Sequence, residues 1–132
     1  MKINVLYLTD DNYAPFAGLS ITSVLENNRN IDLIRIFLID DNIKKENKDK
    51  FTKLQHIYSN CKVEFLDMAE GIEKLKKIGA PKYRNSYTTY LKLFAFRLLP
   101  DDVDRVFFID SDTIVVGSIA EMIDFNMDGH VI

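Results

Sequence analysis

Four short apolar segments, each closely followed or interrupted by aspartate, constrain the fold of this chain most. They cover residues 3–8, 33–39, 63–66 and 106–116. Between them lie longer segments in which apolar residues recur at the spacing of an α-helix. Strands that alternate with helices predict βαβ units, and therefore an α/β fold with a mostly parallel sheet and helices on both faces. The length predicts a single domain over residues 1–132.

The helical segments are recognised by their apolar spacing and by the residues that begin or end them. The first helix begins near Pro15 and ends at Asn27-Asn28. Its apolar stripe is predicted to contain Ala17, Ile21, Val24 and Leu25. Further helices are predicted over residues 44–58, 69–78 and 87–99. Ser118 and Glu121 have the spacing of a capping box, which predicts a helix that continues to about residue 123.

The segment 106–116 holds two carboxylates, Asp110 and Asp112, between two apolar runs. A run of this kind predicts a fully buried strand, in which a carboxylate must be paired, hydrogen-bonded or bound to a metal. Residues two apart on an extended chain point to the same side, so both aspartates could bind one cation. The alternative is that the strand ends at Asp110 and that Asp112 begins a turn, because aspartate is common in turns and caps. This segment alone does not decide between the two.

Aspartates follow every predicted strand, namely Asp10, Asp11, Asp40, Asp41, Asp67, Asp110 and Asp112. Ligands of open α/β sheets bind beyond the carboxyl ends of the strands, so this edge is the expected site. Helix capping is the preferred explanation of Asp40, Asp41 and Asp67. Several carboxylates that face one cleft repel one another unless a divalent ion joins them. Hard oxygen ligands suit Mg²⁺, Mn²⁺ or Ca²⁺, which keep positions open for phosphate oxygens, so a nucleotide diphosphate is a sensible ligand.

Composition excludes several other classes of function. The net charge is −3 and the basic residues are not clustered, which argues against nucleic acid as a partner. The single cysteine, Cys61, allows neither an intrachain disulfide nor a cysteine metal cluster, and it is expected to pack in the core. His56 is expected on the helix surface and His130 in a structural role. No apolar run is long enough for a transmembrane segment, so a cytoplasmic location is the default expectation.

Three motifs stand in the order found in one known family. They are Leu-Tyr-Leu-Thr-Asp-Asp-Asn-Tyr at 6–13, Ser-Tyr-Thr-Thr-Tyr-Leu-Lys-Leu at 86–93 and Phe-Phe-Ile-Asp-Ser-Asp-Thr-Ile-Val at 107–115. Together they resemble glycosyltransferase family 8, the retaining sugar transferases that include lipopolysaccharide glucosyl- and galactosyltransferases and glycogenin-like proteins. The resemblance covers essentially the whole chain and implies a Rossmann-like GT-A fold.

The resemblance also implies a role for individual residues. Asp110 and Asp112 would be the Asp-x-Asp ligands of Mn²⁺ (or Mg²⁺), which bridges the diphosphate of a UDP-sugar, and Asp110 and Ser111 would lie near the ribose. Lys92 falls where the family commonly has arginine, which faces the phosphate and sugar of the donor; lysine keeps the charge but loses the two-pronged geometry. The uridine pocket would be formed by Thr9, Asp10, Asn12 and Tyr13.

The implied reaction is the transfer of a hexose from UDP-glucose or UDP-galactose to the hydroxyl of a saccharide acceptor, with retention. Family members are longer than this chain, and their later metal-binding histidine has no counterpart before Ile132. We therefore expect the chain to be the N-terminal, nucleotide-sugar-binding portion of such an enzyme and to be inactive alone. Peripheral membrane association through the C-terminal portion is compatible with this expectation.

Two other classes of protein share part of this pattern. A phosphatase of the haloacid dehalogenase type also places Asp-x-Asp after a buried strand, but it needs threonine two residues after the second aspartate, where this chain has Ile114. A response-regulator receiver, a signalling module, would use the pair Asp10-Asp11 and would need Asp67 as its phosphoacceptor. Neither alternative explains the whole segment 107–115.

Overall fold

The computed structural model describes residues 1–82, 87, 90, 91 and 95–129. The strands are β1 (Lys2–Asp10), β2 (Leu33–Asp41), β3 (Cys61–Asp67) and β4 (Phe107–Phe108), and the α-helices are α1 (Ala14–Asn27), α2 (Lys45–Ile57) and α3 (Ala69–Lys77). Short 3₁₀ helices lie at Ala95–Arg97 and Ala120–Met122. Within this part of the chain, no helix is long and apolar enough to cross a membrane.

The sheet is parallel, with the strand order β3-β2-β1-β4. Asp10 at the end of β1 is paired with Asp41 at the end of β2, so the carboxyl ends of these strands meet at one edge of the sheet. The predicted α/β fold with a parallel sheet is therefore confirmed. The three α-helices also lie where the sequence predicts them, with bounds that differ by one or two residues.

Each face of the sheet has its own apolar core. One core joins alternate residues of β1 and β2 to α1 and α2, and its α1 members include the predicted residues Ala17, Ile21, Val24 and Leu25. The other core joins the opposite residues of the same strands, such as Leu6 and Phe37, to Leu75 of α3 and to Leu91. Helices therefore cover both faces, as predicted. Gly71 of α3 permits this packing, because a Cβ there would lie 2.8 Å from the Leu91 side chain.

The prediction of a buried strand over 106–116 is wrong. Only Phe107 and Phe108 pair with β1, and the amide of Ile109 adds one further bond to the Leu6 carbonyl at 3.0 Å. The chain then turns, and two of the later apolar residues are exposed, Ile114 by 54% and Val116 by 89%. The reason is that the chain after residue 109 leaves the edge of the sheet and runs along helix α1. The helix covers one side of this segment, and the other side is exposed.

Two further predictions differ from the structure or lie beyond it. Residues 120–122 form a 3₁₀ turn and not an α-helix, although the Ser118 hydroxyl does accept a bond from the Ala120 amide at 3.2 Å. Five positions of the predicted helix 87–99, namely 88, 89 and 92–94, lie outside the described residues, and so does His130. Leu91 and Leu98 of this segment pack in the second core as predicted, but Ala95–Arg97 form a 3₁₀ helix and not the end of an α-helix.

An ion pair occupies the second face at the beginning of the strands. Arg35 of β2 is buried, and its guanidinium donates to Glu64 at 2.9 Å and to Asp102 at 2.8 Å. The guanidinium also lies over the ring of Phe37, 4.8 Å from its centre. The bond between Arg35 and Asp102 therefore holds the loop before β4 against the sheet, while Glu64 of β3 fixes the guanidinium.

Acidification is expected to weaken the fold through this ion pair. Hydrogen bonds from Lys2 and the charge of Arg35 hold the pKa of Asp102 below its usual value. Partial burial raises the pKa of Glu64, but bonds from Arg35 and Lys62 outweigh it, so that the net pKa is lowered. Because these pKa values are lower in the folded state, the stabilisation is present at neutral pH and is lost as the pH falls below about 4.

The measurement is the urea midpoint as a function of pH. Arg35→Met removes the partner charge and keeps most of the apolar volume, so its midpoint is expected to fall less steeply with acid than that of the unsubstituted chain. Equal slopes would contradict this role of the ion pair.

Candidate functional site

A cleft of about 390 Å³ lies at the carboxyl ends of β1 and β2 and beside the turn that follows β4. Its lining consists of Leu8, Thr9, Asp10, Tyr13, Asp41, Phe108, Asp110, Ser111 and Asp112. Two of the predicted groups, the end of β1 and the Asp-x-Asp segment, are therefore brought together, although they are about a hundred residues apart in sequence. This is the position at which open α/β sheets bind ligands.

The turn between β1 and α1 forms one side of the cleft. One carboxylate oxygen of Asp10 accepts a hydrogen bond from the Tyr13 amide at 2.8 Å, and this bond closes the turn. Thr9 is buried, and its hydroxyl donates to the Asp10 carbonyl at 3.1 Å. The Tyr13 side chain is 52% exposed, so one face of its ring is open to a ligand. Asn12 is exposed and is not among the residues that line the cleft.

The opposite side of the cleft is the turn Asp110-Ser111-Asp112. Ser111 is buried, and its hydroxyl donates to the Leu8 carbonyl at 2.9 Å, which fixes the turn to the end of β1. The two aspartates on either side of it are exposed. The expectation that they are buried charges is therefore wrong, and the chain does turn at this point. Exposure does not remove their capacity for a cation, because both still line the cleft.

The donor set at this turn fits a hydrated divalent cation. Asp110 and Asp112 supply hard carboxylate oxygens, and no hydrogen bond or ion pair engages the Asp112 carboxylate in the part of the chain that the structure describes. Among the described residues, no group of three or more metal-ligating side chains is present. Two carboxylates are nevertheless enough for Mg²⁺ or Mn²⁺ when phosphate oxygens and water complete the coordination.

Helix α1 carries a polar row that holds the segment after the turn, and sequence reasoning missed it. The Ser23 hydroxyl accepts from the Val115 amide at 2.9 Å, and the Asn27 side chain donates to the Val115 carbonyl at 2.9 Å. Asn28 accepts from the Ile119 amide at 2.8 Å. Ser20, Ser23 and Asn27 recur at helical spacing, and this spacing was the sequence signal for a polar row on one face of the helix. The same spacing is equally typical of a face that only contacts solvent.

The remaining aspartates have different roles. The Asp67 carboxylate accepts from the Ala69 amide at 2.8 Å, but the N-cap position of α3 is occupied by Met68 and carries no side-chain cap bond, so the predicted cap role is wrong because Asp67 lies one residue too early. Asp40 accepts from the Ile43 amide at 2.7 Å, in the loop before α2 and not at the helix itself. Asp41 lines the cleft, a position that the capping interpretation missed. Asp11 accepts bonds from the Lys44 amide and the Asn47 side chain, which lower its pKa and join the β1–α1 turn to α2.

Cys61, His56 and Lys92 lie away from the described cleft or outside the described residues. Cys61 is buried, and burial raises the pKa of its thiol to about 11, in agreement with a packing role. His56 is exposed on α2, as expected. Lys92 lies outside the described residues.

Comparison with protein families and curated proteins points in one direction. The model described as "Glycosyl transferase family 8" matches residues 4–132. Lipopolysaccharide 1,2-glucosyltransferase of Escherichia coli (strain K12) is 30% identical over 129 residues, which are 98% of this chain and 37% of that protein. Lipopolysaccharide 1,3-galactosyltransferase of Salmonella typhimurium (strain LT2) is 31% identical over 126 residues, which are 95% of this chain and 36% of that protein. The chain thus spans little more than a third of the length of these relatives.

Solved structures with a similar fold are also glycosyltransferases. The galactosyltransferase LgtC, in complex with donor and acceptor sugar analogues, has a TM-score of 0.74 and 24% identity over 94% of this chain and 43% of that chain. The bifunctional glycosyltransferase WbbM in its apo form has a TM-score of 0.75 and 25% identity over 95% of this chain and 21% of that chain. The predicted GT-A fold is confirmed by these likenesses.

Proposed function

Since the chain belongs to glycosyltransferase family 8, we propose that it binds a UDP-sugar and takes part in the retaining transfer of a hexose to a saccharide hydroxyl. Two of its relatives are named as a glucosyltransferase and a galactosyltransferase, so UDP-glucose and UDP-galactose are the proposed donors. The activity of the whole protein is part of this proposal, because the chain spans 37% and 36% of those relatives.

The observation that carries the proposal is the cleft itself. It gathers an exposed aromatic ring, hydroxyls and carboxylates at the carboxyl edge of a parallel sheet. A nucleoside diphosphate needs these groups, since it presents a flat base, a ribose with two hydroxyls and a chain of phosphate oxygens. A phosphoryl group alone, as a phosphatase or a receiver would take, has no use for an exposed aromatic ring.

The base and the ribose are assigned to opposite sides of the cleft. Tyr13 would stack on the uracil ring, and the second carboxylate oxygen of Asp10 would accept the N–H of its edge. Thr9 would limit the depth of the uridine pocket, and Asn12 would contact the uridine from the rim of this pocket. Asp110 and Ser111 would lie by the ribose.

The phosphates are assigned to the turn after β4. Asp110 and Asp112 would hold Mn²⁺ or Mg²⁺, which when bound supplies a positive charge that stabilises the departing UDP. Lys92 is proposed to face the phosphate and sugar of the donor.

The two alternative classes have no observation in their favour. The receiver would need the Asp67 carboxylate as a phosphoacceptor, but this carboxylate accepts a bond from the Ala69 amide at 2.8 Å and is not among the residues that line the cleft. The phosphatase would need a threonine at position 114, and membership of the transferase family removes the reason to invoke its motif.

Titration calorimetry with UDP, in the presence and absence of Mn²⁺, tests the proposal. We expect UDP to bind, and to bind more tightly with Mn²⁺, whereas ADP should bind less well. Steady release of UDP from a UDP-hexose is not expected from the chain of 132 residues alone. Absence of any UDP binding would refute the assignment of the cleft.

Replacement of Tyr13 by alanine is expected to weaken UDP binding with or without Mn²⁺. Stacking of a base on an aromatic side chain is worth about 1–3 kcal/mol, so the affinity should fall by at least about fivefold. Tyr13→Phe keeps the ring and should retain most of the affinity, which calorimetry measures directly. If both variants bind UDP as the unsubstituted chain does, Tyr13 is not the stacking residue.

A further inference from the structure

Three hydroxyl groups form a chain between the core of the sheet and the Asp-x-Asp turn. The Tyr7 hydroxyl of β1 lies 2.9 Å from the Ser20 hydroxyl of α1, which lies 3.2 Å from the Thr113 hydroxyl. Thr113 in turn donates to the backbone carbonyl of Asp110 at 2.8 Å. Tyr7 and Ser20 are completely buried. We call these three residues the hydroxyl relay.

The relay has one direction of donation. Each hydroxyl has a single hydrogen, and Thr113 uses its own on the Asp110 carbonyl. Ser20 must therefore donate to Thr113, and Tyr7 must donate to Ser20. Burial raises the pKa of Tyr7 to about 12, so the phenol keeps its hydrogen at neutral pH and remains a donor.

The turn needs such support because the sheet does not extend to it. Ladder pairing of β4 ends at Phe108, and the last backbone bond to β1 is made by Ile109. Asp110 and Asp112 are exposed, so burial does not fix their positions. Among the described residues, the Ser111 hydroxyl holds the backbone around them by its bond to the Leu8 carbonyl, and Thr113 does so by its bond to the Asp110 carbonyl.

We propose that the hydroxyl relay, with Ser20 at its centre, is a positioning device that holds the Asp110–Asp112 turn in the geometry for binding a divalent cation. Ser20 is thereby a positioning residue; it reaches the turn only through Thr113 and touches no ligand. The role in cation binding rests on the proposed function, whereas the role in holding the turn does not. The role is specific to Ser20, because it alone contacts both the core tyrosine and the turn segment within the relay.

The test compares three variants of the full chain. Ser20→Ala breaks the relay at its centre and leaves Thr113 without its buried donor. Tyr7→Phe removes only the far end and keeps the bond from Ser20 to Thr113. Thr22→Ala is the matched control, since the Thr22 hydroxyl lies on the same helix but bonds to the carbonyl of Gly18 in that helix, at 2.8 Å.

The first measurement is amide hydrogen exchange of residues 111–115 without any ligand. The Val115 amide donates to the Ser23 hydroxyl, so its exchange reports whether the segment after the turn stays on α1. Ser20→Ala loses the bond to Thr113 in this segment, and loss of one hydrogen bond should accelerate the exchange of the Val115 amide about five- to tenfold. Amides of β1 and β2 should keep their rates. Thr22→Ala should leave Val115 unchanged, and Tyr7→Phe, which keeps the bond from Ser20 to Thr113, should accelerate its exchange by less than Ser20→Ala does. An unchanged rate in Ser20→Ala, or an equal acceleration in Thr22→Ala, would overturn the proposal.

The second measurement is the affinity for Mn²⁺ at saturating UDP. Ser20→Ala is expected to lower it by a similar factor, whereas Thr22→Ala should not change it. An unaltered Mn²⁺ affinity in Ser20→Ala would overturn the role in cation binding. If the unsubstituted chain binds no UDP, the proposed function fails, and the exchange rates still decide whether Ser20 holds the turn.

Discussion

Asp112→Asn is expected to remove the manganese-dependent part of UDP binding. The substitution replaces an exposed carboxylate on the cleft by a neutral amide of the same size, so the fold should be preserved. Loss of a partner outside the direct ligands typically costs about 10- to 100-fold in metal affinity, and loss of a direct carboxylate ligand should cost at least as much. Calorimetric titration of Mn²⁺ into the complex with UDP measures the effect.

Asp124→Asn is the matched control for this substitution. Asp124 is also exposed and lies in the same part of the sequence, but it is not among the residues that line the cleft. Both variants change the net charge by one unit, so a general electrostatic effect would appear in both. A Mn²⁺ affinity that is equally lowered in the two variants would contradict the assignment of Asp112 as a ligand.

Phe37→Ala is expected to cause the largest loss of stability among these substitutions. Phe37 is completely buried on β2, one of the two central strands of the sheet, in the core that contains Leu6, Ile39 and Leu91. Truncation of a buried phenylalanine typically costs about 3–5 kcal/mol, the sum of lost transfer free energy and of the cavity left behind. That is a large part of the total stability of a domain, which is about 5–15 kcal/mol. The free energy of unfolding in urea measures the loss.

Phe125→Ala provides the comparison for the buried residue. The Phe125 side chain is largely exposed, and its backbone carbonyl accepts a bond from Arg105, which alanine retains. Its truncation should change the free energy of unfolding by no more than about 0.5 kcal/mol. Similar losses in the two variants would mean that the second core does not support the sheet in the way described.

The fold could be predicted because its elements have simple periodic signals. The apolar run at residues 3–8 lies within β1, and the stripe of Ala17 and Ile21 faces the core from α1. These signals arise from burial, which acts on each element separately and repeats with its geometry. The run at residues 106–116 failed as a strand signal because its apolar residues face an open edge and a single helix, where burial is incomplete.

The candidate site was predicted as a set of residue types and not as an arrangement. Thr9, Asp10, Tyr13 and the three residues Asp110 to Asp112 do line one cleft. The sequence did not indicate Asp41, because an aspartate at the end of a strand is typical of a helix cap as well. Nor did it indicate that Asp110 and Asp112 are exposed, since the apolar residues on both sides of them suggested a buried strand.

By itself, the sequence determined the α/β class, the helices of both faces and the family, since these depend on local periodicity and on short motifs. Only the tertiary structure decided how the Asp-x-Asp turn is held. Ser20 meets Thr113 across 93 positions of the chain, and Ser111 meets the Leu8 carbonyl across 103. A serine on a helix has the same local signature whether its hydroxyl faces water or a distant segment. The identity of its partner therefore depends on the packed arrangement of strands and helices, which no local pattern records.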